Sequence, residues 1–372
     1  MSRRHVRLLV EAGDQALGIE GGRIVEPTGR FDATLRVSDG LLRPGLVNAH
    51  DHLHRNHYGR LGAPPYANAY DWGRDIHRRH ADEIARGRAV PRRDALLHGA
   101  WKNLRAGVTT VVHHDPWEPA FDDDFPLRVV RVASAHSLGF GAEPPPPVAG
   151  APFAIHLAEG VDAEAAAEVA ALGRHGLLTR DLLAVHAVGV DDAGVALLRE
   201  RGAAIVWCPS SNQFLFDRTA PPALLAPGID VLLGSDALLT ADGSLLRELR
   251  VARAPCLVDD ERLLDAVGAV AARRIGVEPP SLDIGARADL VVFRRAPLEA
   301  SEADVALVVA GGVPRVADPA LVPALGALAD AGRIETRDGV VRWIGDQRAS
   351  SSRPALPRRE VRATIDSSRS AR

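Results

Sequence analysis

The stretch LLRPGLVNAHDHLH, Leu41–His54, is the starting point for interpreting the rest of the chain. A Pro-Gly pair and a short apolar run precede His50 and His52, a pattern typical of a buried strand that ends at the two imidazoles. In an extended backbone, residues two positions apart project to the same face. Two neutral imidazoles on one face can bind one transition-metal ion. The stretch therefore predicts one corner of a metal site.

Short apolar runs alternate with helical patterns from residue 44 to residue 276, which predicts an α/β barrel-type domain with a parallel sheet. Strands are predicted at 46–52, 109–115, 127–136, 152–160, 182–190, 203–211 and 229–237. Helices are predicted at 91–107, 163–176 and 191–202. The aromatic and charged segment 66–80 is predicted to be a loop at the mouth of this domain.

The two ends of the chain have a different pattern. Residues 1–43 contain short alternating segments with a glycine-rich turn at Gly18–Gly22, which predicts small antiparallel strands. Short strands return in residues 277–345, so we expect the two segments to form one composite β-sandwich. Residues 346–372 have almost no aliphatic pattern and are predicted to be a disordered tail.

Composition narrows the class of protein. The chain has 372 residues, of which 46% are hydrophobic and 25% charged, and a net charge of −3, which argues against nucleic-acid or membrane partners and leaves a small-molecule substrate. The two cysteines, Cys208 and Cys256, provide no disulfide framework and favour a cytoplasmic location. No apolar run is long enough for a signal peptide or a membrane span, and a homodimer is the default expectation.

Chemically versatile side chains recur at the ends of the predicted strands. In a barrel of parallel strands, all carboxyl ends face one mouth, where such side chains converge. The predicted metal ligands are His50, His52, His156 and Asp236, an N,N,N,O set for one divalent transition metal. A metal in such a site activates water, and Glu159 is predicted to move the proton of that water. His186 would orient or polarise the substrate, and Asp236 could also accept the proton.

Each of these residues also has a structural interpretation. His186 alone could be a hydrogen-bonded structural residue, Glu159 a carboxylate at a helix start, and Asp236 an N-cap. Their order at successive strand ends favours the metal site. The sequence does not assign a role to the other histidines of this region. His54, His57, His77 and His80 could face the mouth or lie on the surface. One of His113 and His114 is expected to face the cavity.

Six motifs along the chain resemble those of the amidohydrolase superfamily. PGLVNAHDH is similar to its first-strand signature, HLAEG to its His-x-x-Glu motif, and SLDIGARADLVVF to its second β-sandwich segment. LAVHAVGV, WCPSSN and LLGSDA resemble the branch of cytosine, guanine and S-adenosylhomocysteine/methylthioadenosine deaminases and triazine chlorohydrolases. The resemblance implies a distorted (β/α)8 TIM barrel with a β-sandwich and one Zn²⁺ or Fe²⁺. It assigns the same four ligands, proton transfer to Glu159 and substrate contact to His186.

The chain departs from that family in two ways. Binuclear members often use a carboxylated lysine at a strand end, but the only lysine here, Lys102, lies in a predicted helix, which favours a mononuclear site. Between His136 and Pro152 the family usually has a further helix and strand, and this chain has neither pattern. The barrel is therefore expected to have seven strands or an opening at the fourth position.

The leading functional hypothesis is hydrolytic deamination of an aminated heterocycle. Opening of a cyclic amide or imidazolone, or dechlorination, would use the same site. A non-catalytic binding protein is a third hypothesis, which the intact ligand set disfavours.

Overall fold

The computed structural model of the chain describes residues 6–345 with the exception of 142, 145 and 147. The predicted disordered tail, 346–372, lies outside the described residues. None of the helices in the described ranges combines the length and the apolar character that crossing a lipid bilayer requires.

The N-terminal segment forms a small sheet of mixed direction. Its strands are β1 (Leu8–Ala12), β2 (Gln15–Glu20), β3 (Arg23–Val25) and β4 (Ala33–Val37). The next strand, β5 (Leu41–Pro44), belongs to a different sheet. The sheet order is β3-β2-β1-β4, and β1 pairs with β4 in parallel, with Leu8 opposite Ala33. The expectation of antiparallel strands is thus wrong for this pair, because the chain crosses from one edge of the sheet to the other between β3 and β4 instead of closing a tight hairpin.

The central segment forms two parallel sheets whose strands are buried throughout, apart from the short strands 128–130 and 133–135, which are partly exposed. The strands are β6 (Leu46–Asp51), β7 (Val108–His113), β8 (Arg128–Val130), β9 (Ala133–Ala135), β10 (Phe153–Leu157), β11 (Leu182–His186), β12 (Ala204–Trp207) and β13 (Val231–Leu233). Their orders are β6-β7-β8 and β9-β10-β11-β12-β13. The strand predicted at 127–136 is divided: β8 pairs with β7, and β9 pairs with β10. Within the described residues the sheets form no closed eight-stranded barrel.

The helices surround these strands. They are α1 (Ala69–Arg79), α2 (Ala81–Arg88), α3 (Arg92–Arg105), α4 (Ala163–Arg174), α5 (Asp192–Arg201), α6 (Pro209–Phe216), α7 (Pro222–Leu225), α8 (Leu245–Arg253), α9 (Asp260–Asp265) and α10 (Ala269–Arg274). The predicted helices at 91–107, 163–176 and 191–202 correspond to α3, α4 and α5. In the described part of 136–152 there is one short 3₁₀ turn, Leu138–Phe140, and neither an α-helix nor a strand.

The prediction of a loop at 66–80 is wrong, because residues 69–79 form α1. Asn68 caps the helix by accepting a hydrogen bond from the Asp71 backbone N–H at 2.9 Å. Ala69 and Ile76 are buried, and their spacing of two helical turns places them on one face. The many aromatic and charged residues thus belong to an amphipathic helix.

The C-terminal strands complete a second antiparallel sheet. They are β14 (Leu290–Phe293), β15 (Val305–Ala310), β16 (Val313–Ala317), β17 (Arg333–Arg337) and β18 (Val340–Ile344), in the order β17-β18-β16-β15-β14-β5. The N-terminal strand β5 pairs with β14, with Leu42 opposite Val292. Apolar side chains of both terminal segments, such as Leu35 and Leu307, pack in one buried core.

Candidate metal centre

The structure brings the four predicted ligands together at the carboxyl ends of the parallel strands. His50 Nε2 lies 3.4 Å from His156 Nε2 and 3.7 Å from Asp236 Oδ1, and His52 Nε2 lies 3.9 Å from Asp236 Oδ1. All four side chains are buried. Ligand atoms at about 2.0–2.1 Å from a tetrahedral Zn²⁺ are about 3.3–3.5 Å apart, so this spacing suits one shared cation.

The protonation states of the three histidines and of Asp236 are also those that binding of a cation requires. His52 donates from Nδ1 to Asp115 Oδ2 at 2.6 Å, which leaves the lone pair of its Nε2 directed towards the Asp236 carboxylate. Two acceptors facing each other in a buried site repel each other unless a cation or a proton lies between them. Burial lowers the pKa of His50 to about 4 and holds the pKa of His156 well below its usual value, so both rings are neutral, as metal ligands must be.

Asp236 is held by its own hydrogen bonds. Ser211 Oγ and Thr240 Oγ1 donate to its Oδ2 at 2.7 and 2.9 Å, and the Ala237 backbone N–H donates to Oδ1 at 2.8 Å. Burial alone raises the pKa of Asp236, but the interactions with His50 and the other neighbouring histidines hold it well below the usual value. Asp236 is not an N-cap: the next helix, α8, begins at Leu245.

The backbone at two strand ends adopts a conformation that side-chain-bearing residues rarely take. His186 has a φ of 70° and Asp236 a φ of 49°, both in the left-handed region. Such strain is typical of functional sites, where the surrounding structure fixes the direction of a side chain. Both residues with this backbone conformation, His186 and Asp236, have side chains that line the cavity.

Glu159 and His186 lie beside the four ligands. Glu159 Oε1 is 3.5 Å from His186 Nε2, and its Oε2 is 4.0 Å from His156 Nδ1. Burial raises the pKa of Glu159 to about 7, so its carboxyl can gain and lose a proton near neutrality. Glu159 is also not a helix-start residue, because α4 begins at Ala163. His186 Nδ1 donates to Asn212 Oδ1 at 2.8 Å, which fixes its ring.

The other histidines divide into distinct groups. His54 and His77 line the cavity beside the site, whereas His57 bonds to the Gly87 carbonyl oxygen and His80 lies at the start of α2. Neither His113 nor His114 lines the cavity, contrary to the expectation for one of them. His114 instead stacks on His156, with ring centroids 4.2 Å apart. Its Nε2 donates to the Ala135 carbonyl oxygen at 2.9 Å.

Sequence reasoning missed Asp115 and the surroundings of Lys102. Asp115 directly follows β7, and a carboxylate beside a ligating histidine fixes its tautomer. Its place after a His-His pair at a predicted strand end was the available signal. Lys102 lies in α3, as predicted, but its ammonium is buried directly behind the ligands, 3.0 Å from Asp51 Oδ2 and 2.7 Å from the Asp236 carbonyl oxygen. No local pattern indicates these contacts.

A cavity of about 590 Å³ opens onto the site. Glu159, His186 and Asp236 are among its lining residues, together with the apolar and aromatic side chains Tyr58, Trp72 and Phe140. A space of this size, with apolar and aromatic side chains in its wall and converging polar groups at its buried end, is typical of a site for a small organic ligand.

The amidohydrolase family model matches residues 148–315. The predicted resemblance to the amidohydrolase family is confirmed. The amidohydrolase match includes His156, Glu159, His186 and Asp236, whereas His50 and His52 precede it. Among curated relatives, a 5-methylthioadenosine/S-adenosylhomocysteine deaminase of Desulforudis audaxviator is 31% identical over 138 residues, or 34% of this chain and 32% of the relative. A 5'-deoxyadenosine deaminase of Methanosarcina mazei is 29% identical over 32% of this chain and 29% of the relative.

The matched region thus spans about a third of the length of these relatives. Solved structures match over more of the chain. An adenosine deaminase of Xanthomonas campestris with bound zinc has a TM-score of 0.60 at 22% identity, covering 87% of this chain and 97% of that one. A zinc complex of an atrazine chlorohydrolase of Arthrobacter aurescens has a TM-score of 0.66 at 18% identity, covering 82% and 94%. The chain therefore shares the TIM-barrel-like α/β fold of these two proteins.

Proposed function

We propose that this chain is a metal-dependent hydrolase that deaminates an aminated heterocycle. The observation that carries the proposal is the convergence of His50, His52, His156 and Asp236 at the buried end of a cavity, with Glu159 beside them. The curated relatives are named as deaminases of adenosine derivatives, which makes a 6-aminopurine nucleoside the first substrate class to test.

The four ligands would hold one divalent cation. Zinc is the first choice, because the solved adenosine deaminase and chlorohydrolase contain it, and Fe²⁺ is the alternative. When bound there, such a cation supplies Lewis acidity and lowers the pKa of water towards neutrality. Lys102 does not provide a bridging carbamate in this proposal, since its ammonium is already held by Asp51, Ser235 and Asp236.

The remaining chemistry belongs to the protein side chains. Glu159 takes one proton from the attacking water and delivers it to a ring nitrogen. The proton of the newly added hydroxyl then passes through Glu159 to the amine, so that the C–N bond breaks, ammonia leaves and an oxo product remains. His186, held by Asn212, orients the substrate at the reacting carbon. Trp72 and Phe140 exclude bulk water and contact the planar ring system.

We further propose that the two terminal sheets form one composite β-sandwich, because β5 pairs with β14 and both segments share a core. A cytoplasmic location is supported by the two cysteines, Cys208 and Cys256, which are both free.

The test is ammonia release from a panel of adenosine, 5'-deoxyadenosine, cytosine, guanine and a chlorotriazine. We expect the zinc-loaded protein to release ammonia from at least one aminated heterocycle, chelation to abolish turnover, and added zinc to restore it, because the proposed nucleophile depends on the cation. Release of chloride instead would support the dechlorination hypothesis. Full turnover after complete metal removal would refute the proposal.

A further inference from the structure

The lining of the cavity changes in charge from its buried end to its exposed part. Among the described residues, Glu159 and Asp236 are the only carboxylates that line it. Three exposed arginines, Arg74, Arg88 and Arg92, also line it, and a fourth, Arg55, is half-buried beside Asp115 near the candidate ligands. A ligand in this cavity therefore has the candidate reaction centre near one end and guanidinium groups near the other.

Arg88, at the end of α2, differs from the other three arginines. Arg55, Arg74 and Arg92 each contact a carboxylate, that of Asp115, Asp71 and Glu118 respectively. Within the part of the chain that the structure describes, Arg88 forms no ion pair with a carboxylate. It donates to His77 Nε2 at 3.2 Å, and His77 in turn donates from Nδ1 to the Gly73 carbonyl oxygen at 2.8 Å. The His77 ring thus orients the guanidinium without neutralising its charge.

We propose that the cavity selects an aminated heterocycle that bears an anionic substituent, a carboxylate or a phosphate, and that Arg88 binds this group. The inference rests on the proposed function and adds the substrate class. A guanidinium forms strong, charge-assisted hydrogen bonds with both kinds of anion. Tyr58 and Trp72 line the same cavity and would contact the part of the ligand between the two ends.

The experiment compares kcat/KM for adenosine, adenosine 5'-monophosphate and adenosine-5'-carboxylic acid with zinc-loaded protein. We expect the wild type to prefer one or both anions and Arg88→Met to lower that preference about 10- to 100-fold, the usual effect of losing a charge-assisted hydrogen bond. Arg86→Met is the matched control, because Arg86 is exposed on the same helix and does not line the cavity.

Calorimetric binding of the three compounds provides a readout that does not need turnover. Equal affinity for adenosine and both anions in the wild type, or an unchanged preference in Arg88→Met, overturns the inference. Preferential binding of an anion that Arg88→Met abolishes supports it even if none of the three compounds is hydrolysed. Absence of ammonia release from every compound would count against the proposed reaction and not against the anion site.

A second inference concerns the junction between β6 and β13, where the parallel pairing is interrupted. Three candidate ligands lie there, His50 and His52 at the end of β6 and Asp236 after β13. A backbone hydrogen bond joins the Asp236 N–H to the His50 carbonyl oxygen at 3.1 Å, but no ladder pairs the two strands in the described ranges. A Cβ at Gly234 would lie 2.6 Å from the His50 Cβ, so the junction is closely packed.

The Lys102 ammonium bridges this junction from behind. It donates to Asp51 Oδ2 at 3.0 Å on one strand, and to Ser235 Oγ at 2.9 Å and the Asp236 carbonyl oxygen at 2.7 Å on the other. Asp51 is completely buried and lies between the two ligating histidines, so its position fixes both of their backbones.

Neighbouring amides hold Asp51 in place. Asn56 and Asn103 donate to its two carboxylate oxygens at 2.8 and 2.7 Å. Asn48 accepts a hydrogen bond from the Ser235 backbone N–H at 3.0 Å, which ties β6 to the end of β13 a second time.

We infer that Lys102 is a positioning residue that sets the separation of His50, His52 and Asp236. The test is the zinc affinity of the apoprotein, measured by competition with a chromogenic chelator. We expect Lys102→Met to weaken zinc binding about 10- to 100-fold, the range found when groups that support metal ligands are removed. Arg105→Met is the control: it removes a buried cation from the same helix, paired with Glu335 and not with the ligands.

Because Lys102→Met leaves Asp51 buried without its cation, a second variant keeps the inference testable. The double variant Asp51→Asn/Lys102→Met removes both charges, and we expect it to fold and still to bind zinc more weakly than Arg105→Met. Wild-type zinc affinity in either Lys102 variant overturns the inference, and a wild-type apoprotein that binds no zinc overturns it together with the proposed metal centre.

Discussion

Replacing Glu159 by glutamine is expected to lower kcat for ammonia release by about 10²- to 10⁴-fold, the usual contribution of a positioned general acid–base group. The amide keeps the size of the side chain but cannot take up and return a proton. Glu159 is buried, 3.5 Å from His186 Nε2, and burial raises the pKa of its carboxyl to about 7. Single-turnover ammonia release with zinc-loaded protein measures the effect, and metal analysis should find the zinc content unchanged, since Glu159 is not assigned as a ligand.

Glu248→Gln is the matched control for this substitution. Burial also raises the pKa of Glu248 to about 7, but this carboxylate contacts Ser210 and does not line the cavity. We expect Glu248→Gln to retain most of the turnover. If both variants retain it, Glu159 is not the proton carrier; if both lose it equally, the effect comes from the loss of a buried carboxylate and not from its position.

The arrangement of the candidate site could be predicted because each member follows its own apolar run. His50, His156 and His186 end strands, and Asp236 follows one, so that the rule for parallel strands alone brings them to one mouth. A short apolar run followed by a histidine or an aspartate is a local pattern, and it is visible in the sequence alone. The distances between the side chains, and the left-handed backbone of His186 and Asp236, depend on packing between strands that are far apart in sequence.

Other features depend on contacts that no local pattern contains. The parallel pairing of β1 with β4 is decided by how residues 26–32 cross the sheet, and the division of the predicted strand 127–136 by its two different neighbours. The Lys102 network joins positions 51, 102 and 235, each of which has an ordinary local context. In α1 the many charged residues obscure the amphipathic period, which the burial of Ala69 and Ile76 shows.

Contacts between elements that are far apart in sequence also determine which side chains face the substrate in the proposed function. The helices α1 and α2 supply Trp72, His77 and Arg88 to the cavity, whereas the ligands come from the strands. In the proposed function, the reaction and the choice of substrate would therefore depend on different parts of the chain, as is general for barrels whose loops vary around a constant site. The family resemblance indicates the type of reaction, whereas the choice of substrate has to be inferred from the structure.

Replacing Asp236 by asparagine is expected to abolish detectable turnover and to weaken zinc binding by more than about 100-fold, because loss of a ligand should exceed the effect of losing a group that merely supports one. The neutral amide cannot balance the cation, and it would leave the donors Ser211 and Thr240 facing a weaker acceptor. Thermal unfolding with and without zinc measures the loss directly: zinc at about 100 times its Kd stabilises a folded protein by about 2.7 kcal/mol.

We expect this zinc-dependent stabilisation in the wild type and in Asp242→Asn. In Asp236→Asn the same zinc concentration should give less than about 0.4 kcal/mol, because zinc would then be at or below its Kd. Asp242 is the control because it carries the same charge six residues further along the chain, is part of an exposed ion pair with Arg247 and does not line the cavity. Equal stabilisation of all three proteins would mean that zinc binds elsewhere, and that the four converging side chains are not its site. Stabilisation retained by Asp236→Asn with turnover lost would instead assign Asp236 to proton transfer alone.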